Sequence, residues 1–297
     1  MKKAFIITVC FSLLAACRKD ANTDGLSGSF FSSEAAATDS VTHPAHIIFV
    51  WLENKGYNTI IGDTVNAPYI NSLISKGTLF TSDYALTHPS YPNYVAFFSG
   101  NYNGIKSDKC IDTTALTTPN LYTKLRKVRK SFAWYSEDLP ATGSTVCSSG
   151  YYRERHNPTT LFANVPAKAN KRFADFPTDY NQLENVVCIS PNLLHDMHDG
   201  SVKQGDNWIK NHLSRLVNWC RSHNSIFVVF FDESEIFTDN RLPVIAIGEK
   251  VKANFRHTTT YNHYSWTKTI CIMFSAPSKW TSNVNNARLI KGCWKLP

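Results

Sequence analysis

The stretch HIIFVWLEN, residues 46–54, is an almost unbroken apolar run that stops at a glutamate and an asparagine. A second stretch, SIFVVFFDE at residues 225–233, has the same form and stops at an aspartate and a glutamate. Continuous apolar strands are buried on both faces, which is typical of central strands in a parallel sheet covered by helices. If the two strands are parallel neighbours, their polar ends lie at one edge of the sheet, where open α/β sheets bind ligands.

Shorter strands alternate with helices along the rest of the chain. Apolar residues at three- or four-residue spacing predict helices at residues 67–77, 119–130 and 205–222, and a further helix is predicted at 94–100. Short apolar runs predict strands at residues 79–85, 131–138, 185–190 and 242–248. The alternation predicts the α/β class, as a three-layer α/β/α sandwich with a mostly parallel central sheet.

The N-terminus has the features of an export signal. MKKAFIITVCFSLLAAC combines two lysines, an apolar run and small residues before Cys17, which is similar to a bacterial lipobox. We predict a lipoprotein signal at residues 1–16 with Cys17 lipidated; the alternative is ordinary signal cleavage with Cys17 incidental. Residues 17–44 are poor in large apolar side chains and predict a flexible tether, followed by one domain at residues 45–297. The expected location is the periplasm or cell surface, where the lipid anchors the protein to the envelope.

Cysteine number and charge limit the remaining possibilities. Eight cysteines become six once Cys10 and Cys17 are removed, and an even number in an exported chain predicts up to three disulfides with the pairing open. The formal charge of +8 falls to about +6 without Lys2 and Lys3, which suits an anionic substrate. The charge is not concentrated in a way that predicts nucleic-acid binding. The sequence favours no particular oligomeric state.

A corner between a predicted strand and a predicted helix carries the most reactive candidate. THPSYPNY, residues 87–94, places Ser90 between two prolines. One interpretation is a tight turn, because proline fixes the backbone and serine or asparagine caps helices well. The other is that Ser90 is a nucleophile, which needs an activating group nearby.

The polar strand ends offer that activation. Three carboxylates and one amide oxygen are expected at the sheet edge, from Glu53, Asn54, Asp232 and Glu233. Their like charges would repel one another strongly unless a cation lay among them. Oxygen ligands suit Mg²⁺, Ca²⁺ or Mn²⁺, whereas histidine ligands would favour zinc or iron. Either acidic pair alone would be interpreted as a solvated loop, but two pairs after the two most buried strands favour a metal site.

Histidines follow other predicted strands. NLLHDMHDG, residues 192–200, alternates histidine with aspartate, and YNHYS at residues 261–265 places a histidine before a helix. Such a loop suits metal binding or protonation of an oxygen, and a local turn motif is the competing interpretation. RERHNP, residues 153–158, adds arginines that could pair with phosphate oxygens or be surface charges.

Taken in order, these motifs resemble those of the phosphoesterase family that contains bacterial acid phosphatases and phospholipases C, within the alkaline phosphatase superfamily. The resemblance covers nearly everything from His46 to about Phe274, including WLEN, THPSYPNY, RERHNP, NLLHDMHDG, FDE and YNHYS. It implies an alkaline phosphatase-like fold and one divalent metal (Mg, Ca, Mn or Zn), with a second allowed. The sequence departs from the common pattern at Lys55, where a histidine is often found, and in FDESE, which lacks the usual tryptophan and glycine.

The resemblance also implies roles for individual residues. The metal-binding positions are Glu53, Asn54, Ser90, Asp232 and Glu233. The positions around the substrate phosphate are His88, Asn93, Arg155, His156, Asp196 and Asp199. Ser90 is the implied nucleophile, and His198 or His263 is the implied proton donor to the leaving group.

Metal-assisted hydrolysis of phosphate monoesters through a phosphoserine, with an acidic pH optimum, is the resulting functional hypothesis. The core is short, which favours a small phosphorylated substrate, and the membrane is expected to be contacted only through the N-terminal lipid. The alternatives are a phospholipase C-type phosphodiesterase and, in a different class, an inactive lipoprotein that binds phosphate or another ligand. A sulfatase is disfavoured because THPSYPNY does not resemble the nucleophile motif of those enzymes.

Overall fold

A nine-stranded sheet forms the centre of the computed structural model, which describes residues 40–111 and 114–296. Its strands are β1 (His46–Leu52), β2 (Thr78–Tyr84), β3 (Phe132–Ser136), β6 (Asn170–Arg172), β7 (Val186–Ser190), β8 (Ser225–Phe231), β9 (Arg241–Gly248), β10 (Phe255–His257) and β11 (Tyr261–Asn262). A separate hairpin consists of β4 (Ser148–Ser149) and β5 (Tyr152–Arg153). The order across the sheet is β10-β2-β9-β8-β1-β7-β3-β6, and β11 pairs with β2.

The two long apolar strands are parallel neighbours, as the sequence predicts. β1 pairs with β8 over its whole length, so that Trp51 lies opposite Phe230 and Leu52 opposite Phe231. β1 also pairs in parallel with β7, which in turn pairs with β3. The strand β9 is the exception, because it runs antiparallel to both β8 and β2. The sheet is therefore mixed but mostly parallel.

Helices cover both faces of this sheet. They are α1 (Tyr57–Ile60), α2 (Pro68–Ile74), α3 (Ser90–Ser99), α4 (Leu121–Arg126), α5 (Val202–Cys220), α6 (His263–Met273) and α7 (Ser282–Asn286). Short 3₁₀ turns occupy Glu154–His156, Pro158–Leu161, Ala167–Ala169, Phe173–Asp175 and Tyr180–Gln182. The helix α3 packs with α6, and α2 packs with α5. Ile48, Phe49, Val50 and Trp51 are all fully buried, and because successive strand residues face opposite sides, both sides of β1 are covered.

Side-chain caps determine where the main helices begin. The Ser201 side chain accepts a hydrogen bond from the backbone amide of Gln204 at the start of α5, and the Gln204 side-chain oxygen accepts one from the backbone amide of Ser201. Asn262 and Ser265 form the same reciprocal pair at the start of α6. The helix predicted at 119–130 is shorter than expected. It ends at Arg126, and Arg129 adopts a left-handed backbone conformation.

The described chain begins inside the folded unit. Val41 and Thr42 are buried, and the His43 ring contacts the carbonyl of Met273 at 2.8 Å, so these residues pack on the domain although they were assigned to the tether. The predicted signal, Cys17 and residues 18–39 of the tether lie outside the described residues. Within the described ranges, no helix is both long and apolar enough to cross a bilayer.

One disulfide forms among the cysteines that the structure describes. Cys110 and Cys147 are bonded, which joins the loop after α3 to the segment before the β4–β5 hairpin. Four other cysteines are buried and unpaired: Cys188, Cys220, Cys271 and Cys293. Burial raises the pKa of each of these thiols, which makes them unreactive core residues.

Candidate active site

The ends of three parallel strands converge on one edge of the sheet. Because β1 and β8 are in register, the residues that follow them, Glu53 and Asp232, are neighbours. The amide of Asp232 donates to the carbonyl of Leu52 at 3.1 Å. The amide of Glu53 donates to the carbonyl of Asp196, in the loop after β7, at 2.7 Å. Acidic residues that are far apart in the sequence therefore lie beside one another.

Ser90 lies in the middle of this group. It is the first residue of α3 and is only 1% exposed. Its hydroxyl oxygen is 2.9 Å from Oε2 of Glu53, 3.3 Å from Oε1 of Glu233 and 3.4 Å from Oδ1 of Asn54. The fifth predicted metal ligand, Asp232, accepts a hydrogen bond from the Asn54 amide at 3.1 Å. The structure thus places all five predicted metal-binding residues together.

Two of the predicted substrate residues hold the corner that carries Ser90. The Asn93 side-chain oxygen accepts from the amides of Leu86 and Thr87, and its nitrogen donates to the Thr87 carbonyl and to Oε2 of Glu233. Asn93 is fully buried, so its polar atoms are used within the protein and it positions the corner. His88 lies 3.1 Å from the same Glu233 oxygen, and burial lowers the pKa of its ring.

The buried carboxyl groups of the site are electrostatically unfavourable by themselves. Burial, followed by repulsion from Asp232 and Asp196, raises the pKa of Glu53 well above its ordinary value. Burial also raises the pKa of Asp196 well above the ordinary value, that of Asp232 to about 6, and that of Glu233 to about 9. One oxygen of Asp232, Oδ2, is buried without a hydrogen bond. Carboxylates arranged in this way fit a divalent cation, which would replace the lost hydration and relieve the repulsion.

A second group of possible metal ligands adjoins the first and shares Glu53 with it. Oε1 of Glu53 is 3.5 Å from Nε2 of His156, and Nδ1 of His156 is 3.1 Å from Oδ2 of Asp196. One ligand atom from each of the three residues lies within 4.8 Å of the others. Burial, followed by the charge of Arg155, lowers the pKa of His156 well below its ordinary value, so its ring is neutral, as a metal ligand must be. His156 and Asp196, predicted around the phosphate, thus lie where a metal could be held.

Arg155 and His198 form the outer side of the site. The Nη2 atom of Arg155 donates to Nε2 of His198 at 3.2 Å, because the guanidinium has no acceptor. The other ring nitrogen of His198, Nδ1, is 2.6 Å from Oδ1 of Asp199, which is nearly half exposed. This arrangement orients the His198 ring and leaves both partners close to solvent.

His263 lies in a different environment. It is fully buried at the start of α6, with its ring next to those of Trp51 and Phe230. Burial lowers the pKa of His263 to about 3, so the ring carries no extra proton at the pH of an ordinary assay. The geometry favours His198 over His263 as the proton donor.

Several residues of the site were not identified from the sequence. The Tyr94 hydroxyl donates to Oε1 of Glu53, and its ring stacks on His156. Tyr94 follows Ser90 by four residues, so helical spacing could have indicated it. Asp108 accepts from the Tyr91 amide at 2.9 Å, and no sequence pattern points to it. Lys55, in place of the expected histidine, reaches only the carbonyl of Asn54 at 3.3 Å.

Comparisons with known proteins show which family the chain resembles. The model of the "Phosphoesterase family" matches residues 51–277. A phosphatidylinositol-3-phosphatase of Mycobacterium tuberculosis is 39% identical over 253 residues, which is 84% of this chain and 83% of the relative. A phosphate-repressible acid phosphatase of Penicillium chrysogenum is 27% identical over 81% of this chain, and the match spans 62% of that longer protein.

The fold also has relatives among solved structures. A protein of the alkaline phosphatase superfamily from Vibrio parahaemolyticus superposes with a TM-score of 0.52 at 13% identity, over 83% of this chain and 74% of that one. This likeness confirms the predicted fold class. The family model covers the end of β1, the whole of β8, the Ser90 corner and the acidic loops described above, and the chain therefore belongs to the phosphoesterase family.

Proposed function

We propose that this phosphoesterase hydrolyses phosphate monoesters by attack of Ser90 on phosphorus, through a covalent phosphoserine. The observation that carries the proposal is the contact of one buried hydroxyl with oxygens from two separate strand ends, Glu53 and Asn54 on one side and Glu233 on the other. A structural serine in a turn has no need of three such neighbours. The start of a ten-residue helix also provides backbone amides for a transferred phosphoryl group.

The proposal includes a divalent metal held by Glu53, Asn54, Asp232, Glu233 and Ser90, and the Glu53–His156–Asp196 group supports a second position. When bound, such a cation lowers the cost of the serine alkoxide and of charge on the phosphoryl oxygens. The neighbouring side chains supply the remaining steps.

The residues around Ser90 have distinct tasks in this reaction. Glu53 accepts the Ser90 proton along the existing hydrogen bond, and the Ser90 oxygen forms a bond to phosphorus as the bond to the alcohol oxygen breaks. The Tyr91 amide and Arg155 hold phosphoryl oxygens. Protonated His198 donates a proton to the departing alkoxide, after Arg155 has turned from His198 towards the phosphate. Water then gives a proton to His198 and attacks phosphorus, the Ser90–phosphorus bond breaks as Ser90 takes its proton back from Glu53, and inorganic phosphate leaves.

The test replaces Ser90 and compares it with a matched serine. Ser90→Ala should reduce kcat/KM for p-nitrophenyl phosphate by at least about a thousandfold in enzyme reconstituted with Mg²⁺, Ca²⁺, Mn²⁺ or Zn²⁺ separately. Ser99→Ala is the control, because Ser99 is buried in the same helix but bonds the carbonyls of Val95 and Asn101 and the side chain of Asn103 rather than acidic residues. Acid quenching with a ³²P-labelled substrate should trap label on the wild type and none on Ser90→Ala. Substantial turnover without Ser90 refutes the proposal.

Two further measurements separate the alternatives. A phospholipase C-type enzyme would hydrolyse bis(p-nitrophenyl) phosphate faster than the monoester, whereas we expect the monoester to be preferred because Arg155 is available for its second charge. A protein that binds phosphate and metal but turns over neither ester would be the inactive binding lipoprotein. Activity should peak at acidic pH, which the relative named as a phosphate-repressible acid phosphatase supports, and a profile flat to about pH 9 counts against this expectation.

A lipid headgroup is a second candidate for the leaving group. Ile236 and Phe237 follow Glu233 closely and are among the most exposed large apolar side chains that the structure describes, with Phe237 fully exposed. They suit contact with a lipid surface beside the site, and the relative named as a phosphatidylinositol-3-phosphatase supports the same substrate class. The double variant Ile236→Ser and Phe237→Ser should lose activity on vesicles containing phosphatidylinositol 3-phosphate but keep its activity on p-nitrophenyl phosphate.

Leu296→Ser is the control for this vesicle experiment. Leu296 is also exposed, but it follows Lys295, whose amide bonds the Lys250 carbonyl just past the end of β9, at the opposite edge of the sheet. Equal losses in both variants would refute a specific lipid contact at the site.

We also propose export as a lipoprotein, with the residues that follow Cys17 as the tether. The lipobox-like sequence before Cys17 supports it. Cys17→Ser should move the protein from the membrane fraction to the soluble fraction, and unchanged fractionation would contradict the anchor.

A further inference from the structure

Asp108 contacts two groups that the proposed reaction needs for phosphate. Its Oδ1 atom accepts a hydrogen bond of 2.9 Å from the amide of Tyr91, the residue after Ser90. Its Oδ2 atom lies 3.9 Å from Nε of Arg155. A helix N-terminal amide and a guanidinium are both strong ligands for phosphoryl oxygens. A carboxylate of the protein itself therefore occupies the place where anionic oxygens of a substrate would bind.

A disulfide holds the backbone of the loop that carries Asp108 close to the segment that carries Arg155. Cys110, two residues later, is bonded to Cys147, and the Cys147 carbonyl accepts the amide of Glu154 at 3.0 Å. Glu154 in turn precedes Arg155. The disulfide therefore ties the loop that carries Asp108 to the segment that carries Arg155.

The carboxylate also has room to turn aside. A cavity of about 210 Å³ is bordered by Asp108, the disulfide, Arg153, Glu154 and Arg155. The Asp108 side chain is 32% exposed, so it is not locked by packing.

We propose that Asp108 weakens phosphate binding by competing with phosphate for the Tyr91 amide and Arg155. The inference rests on the proposed function and adds to it a reason for weak phosphate binding. A phosphate group must displace the Asp108 carboxylate into the cavity, and the carboxylate returns when inorganic phosphate leaves. The competition weakens the binding of substrate and product alike and speeds the departure of product.

The test measures the binding of inorganic phosphate by isothermal titration calorimetry in metal-reconstituted enzyme. Asp108→Asn removes the negative charge but keeps an acceptor for the Tyr91 amide, and Asp108→Ala removes both. We expect the dissociation constant for phosphate to fall about tenfold in Asp108→Asn and at least as much in Asp108→Ala. The KM for p-nitrophenyl phosphate should fall in the same order.

Asp175→Asn is the matched control. Asp175 pairs with Arg172 in an exposed ion pair away from the site, so the variant loses the same charge without touching the Tyr91 amide. If Asp175→Asn gains as much phosphate affinity as Asp108→Asn, the gain comes from the change in net charge alone, and the proposal is overturned.

The opposite outcome is equally decisive. If Asp108 instead positions Arg155 for catalysis, both Asp108 variants will bind phosphate more weakly than the wild type and their KM will rise, which overturns the competition. Because calorimetry measures binding, tighter phosphate binding in a protein without turnover would support this inference while refuting the proposed function.

Discussion

Among the regions that bury carboxyl groups, the carboxyl edge of the sheet and strand β2 give them different partners. Four of them share the carboxyl edge of the sheet: Glu53, Asp196, Asp232 and Glu233. In contrast, Asp83 is fully buried on β2, where its Oδ2 atom accepts a hydrogen bond from Nε1 of Trp266 at 2.8 Å. Burial raises the pKa of Asp83 to about 7, without the repulsion from neighbouring carboxylates that Glu53 experiences.

The difference shows what kind of ligand each region requires. One proton neutralises Asp83 and a tryptophan N–H satisfies its Oδ2. Its Oδ1 is buried without a hydrogen bond, but no neighbouring carboxylate repels it, so Asp83 does not call for a cation. At the sheet edge, several protons would be needed, and they would remove the ligands that activate Ser90. A cation neutralises the carboxylates at the sheet edge without protonating them. Carboxyl groups are therefore functional at this edge, whereas Asp83 is structural.

Glu53→Gln should have the largest effect, because Glu53 belongs to both candidate metal groups. We expect kcat/KM for p-nitrophenyl phosphate to fall by about a thousandfold or more. In the metal-free protein the same change should raise the unfolding temperature at pH 8, since it removes a buried repelling charge. Kinetics and thermal unfolding on the same samples check both parts. If Glu53→Gln keeps activity within tenfold of the wild type, Glu53 is not functional and does not differ from the structural Asp83 in that respect.

Metal binding should increase the stability of the fold through the carboxylates at the sheet edge and not through Asp83. Adding a divalent ion to chelator-treated wild type at 100 times its dissociation constant should stabilise the fold by about 2.7 kcal/mol. Differential scanning fluorimetry should show this gain in Asp83→Asn as well, and no comparable gain in Glu53→Gln. An equal gain in all three proteins would place the ion elsewhere.

Tyr94→Phe tests whether a hydrogen bond to one carboxylate of the sheet edge contributes to catalysis. The Tyr94 hydroxyl donates to Glu53 but does not contact Ser90, so its loss should lower kcat by about tenfold and leave KM nearly unchanged. Steady-state kinetics should be compared with those of Tyr69→Phe, a half-buried tyrosine on α2. If the two variants have the same kcat, the Tyr94–Glu53 hydrogen bond has no part in catalysis.

Asp83→Asn should have the smallest effect on activity and a clear effect on the pH dependence of stability. The folded-state pKa of Asp83 is raised, from an ordinary 3.8 to about 7. Its contribution to stability is therefore fully present below pH 3.8 and is lost as the pH rises towards 7, by at most about 1.4 kcal/mol per pH unit. Between pH 5 and 8 the variant should lose less stability than the wild type in urea unfolding. Parallel pH curves would show that Asp83 is not the titrating group.

The long apolar strands could be predicted because they are buried on both faces, which leaves an unmistakable pattern in the sequence. The pattern also located Glu53 and Asp232, since a strand ends where polar residues begin. It could not give the direction of β9, because an apolar strand such as LPVIAIG looks the same whether it runs parallel or antiparallel to its neighbours. Three of the expected site residues also lie in environments that a motif does not reveal, namely Asn93, His156 and His263.

The sequence by itself determined the α/β class, the acidic strand ends and the position of a serine at a helix start, because each depends on local patterning. Only the tertiary structure decided that His156 lies against Glu53, that His263 is enclosed in the core, and that Asp108 reaches the Tyr91 amide. Those contacts join segments separated by loops whose paths depend on packing and on one disulfide. Local residue preferences contain no information about such distances, so the partners of the reactive groups emerge only when the chain is folded.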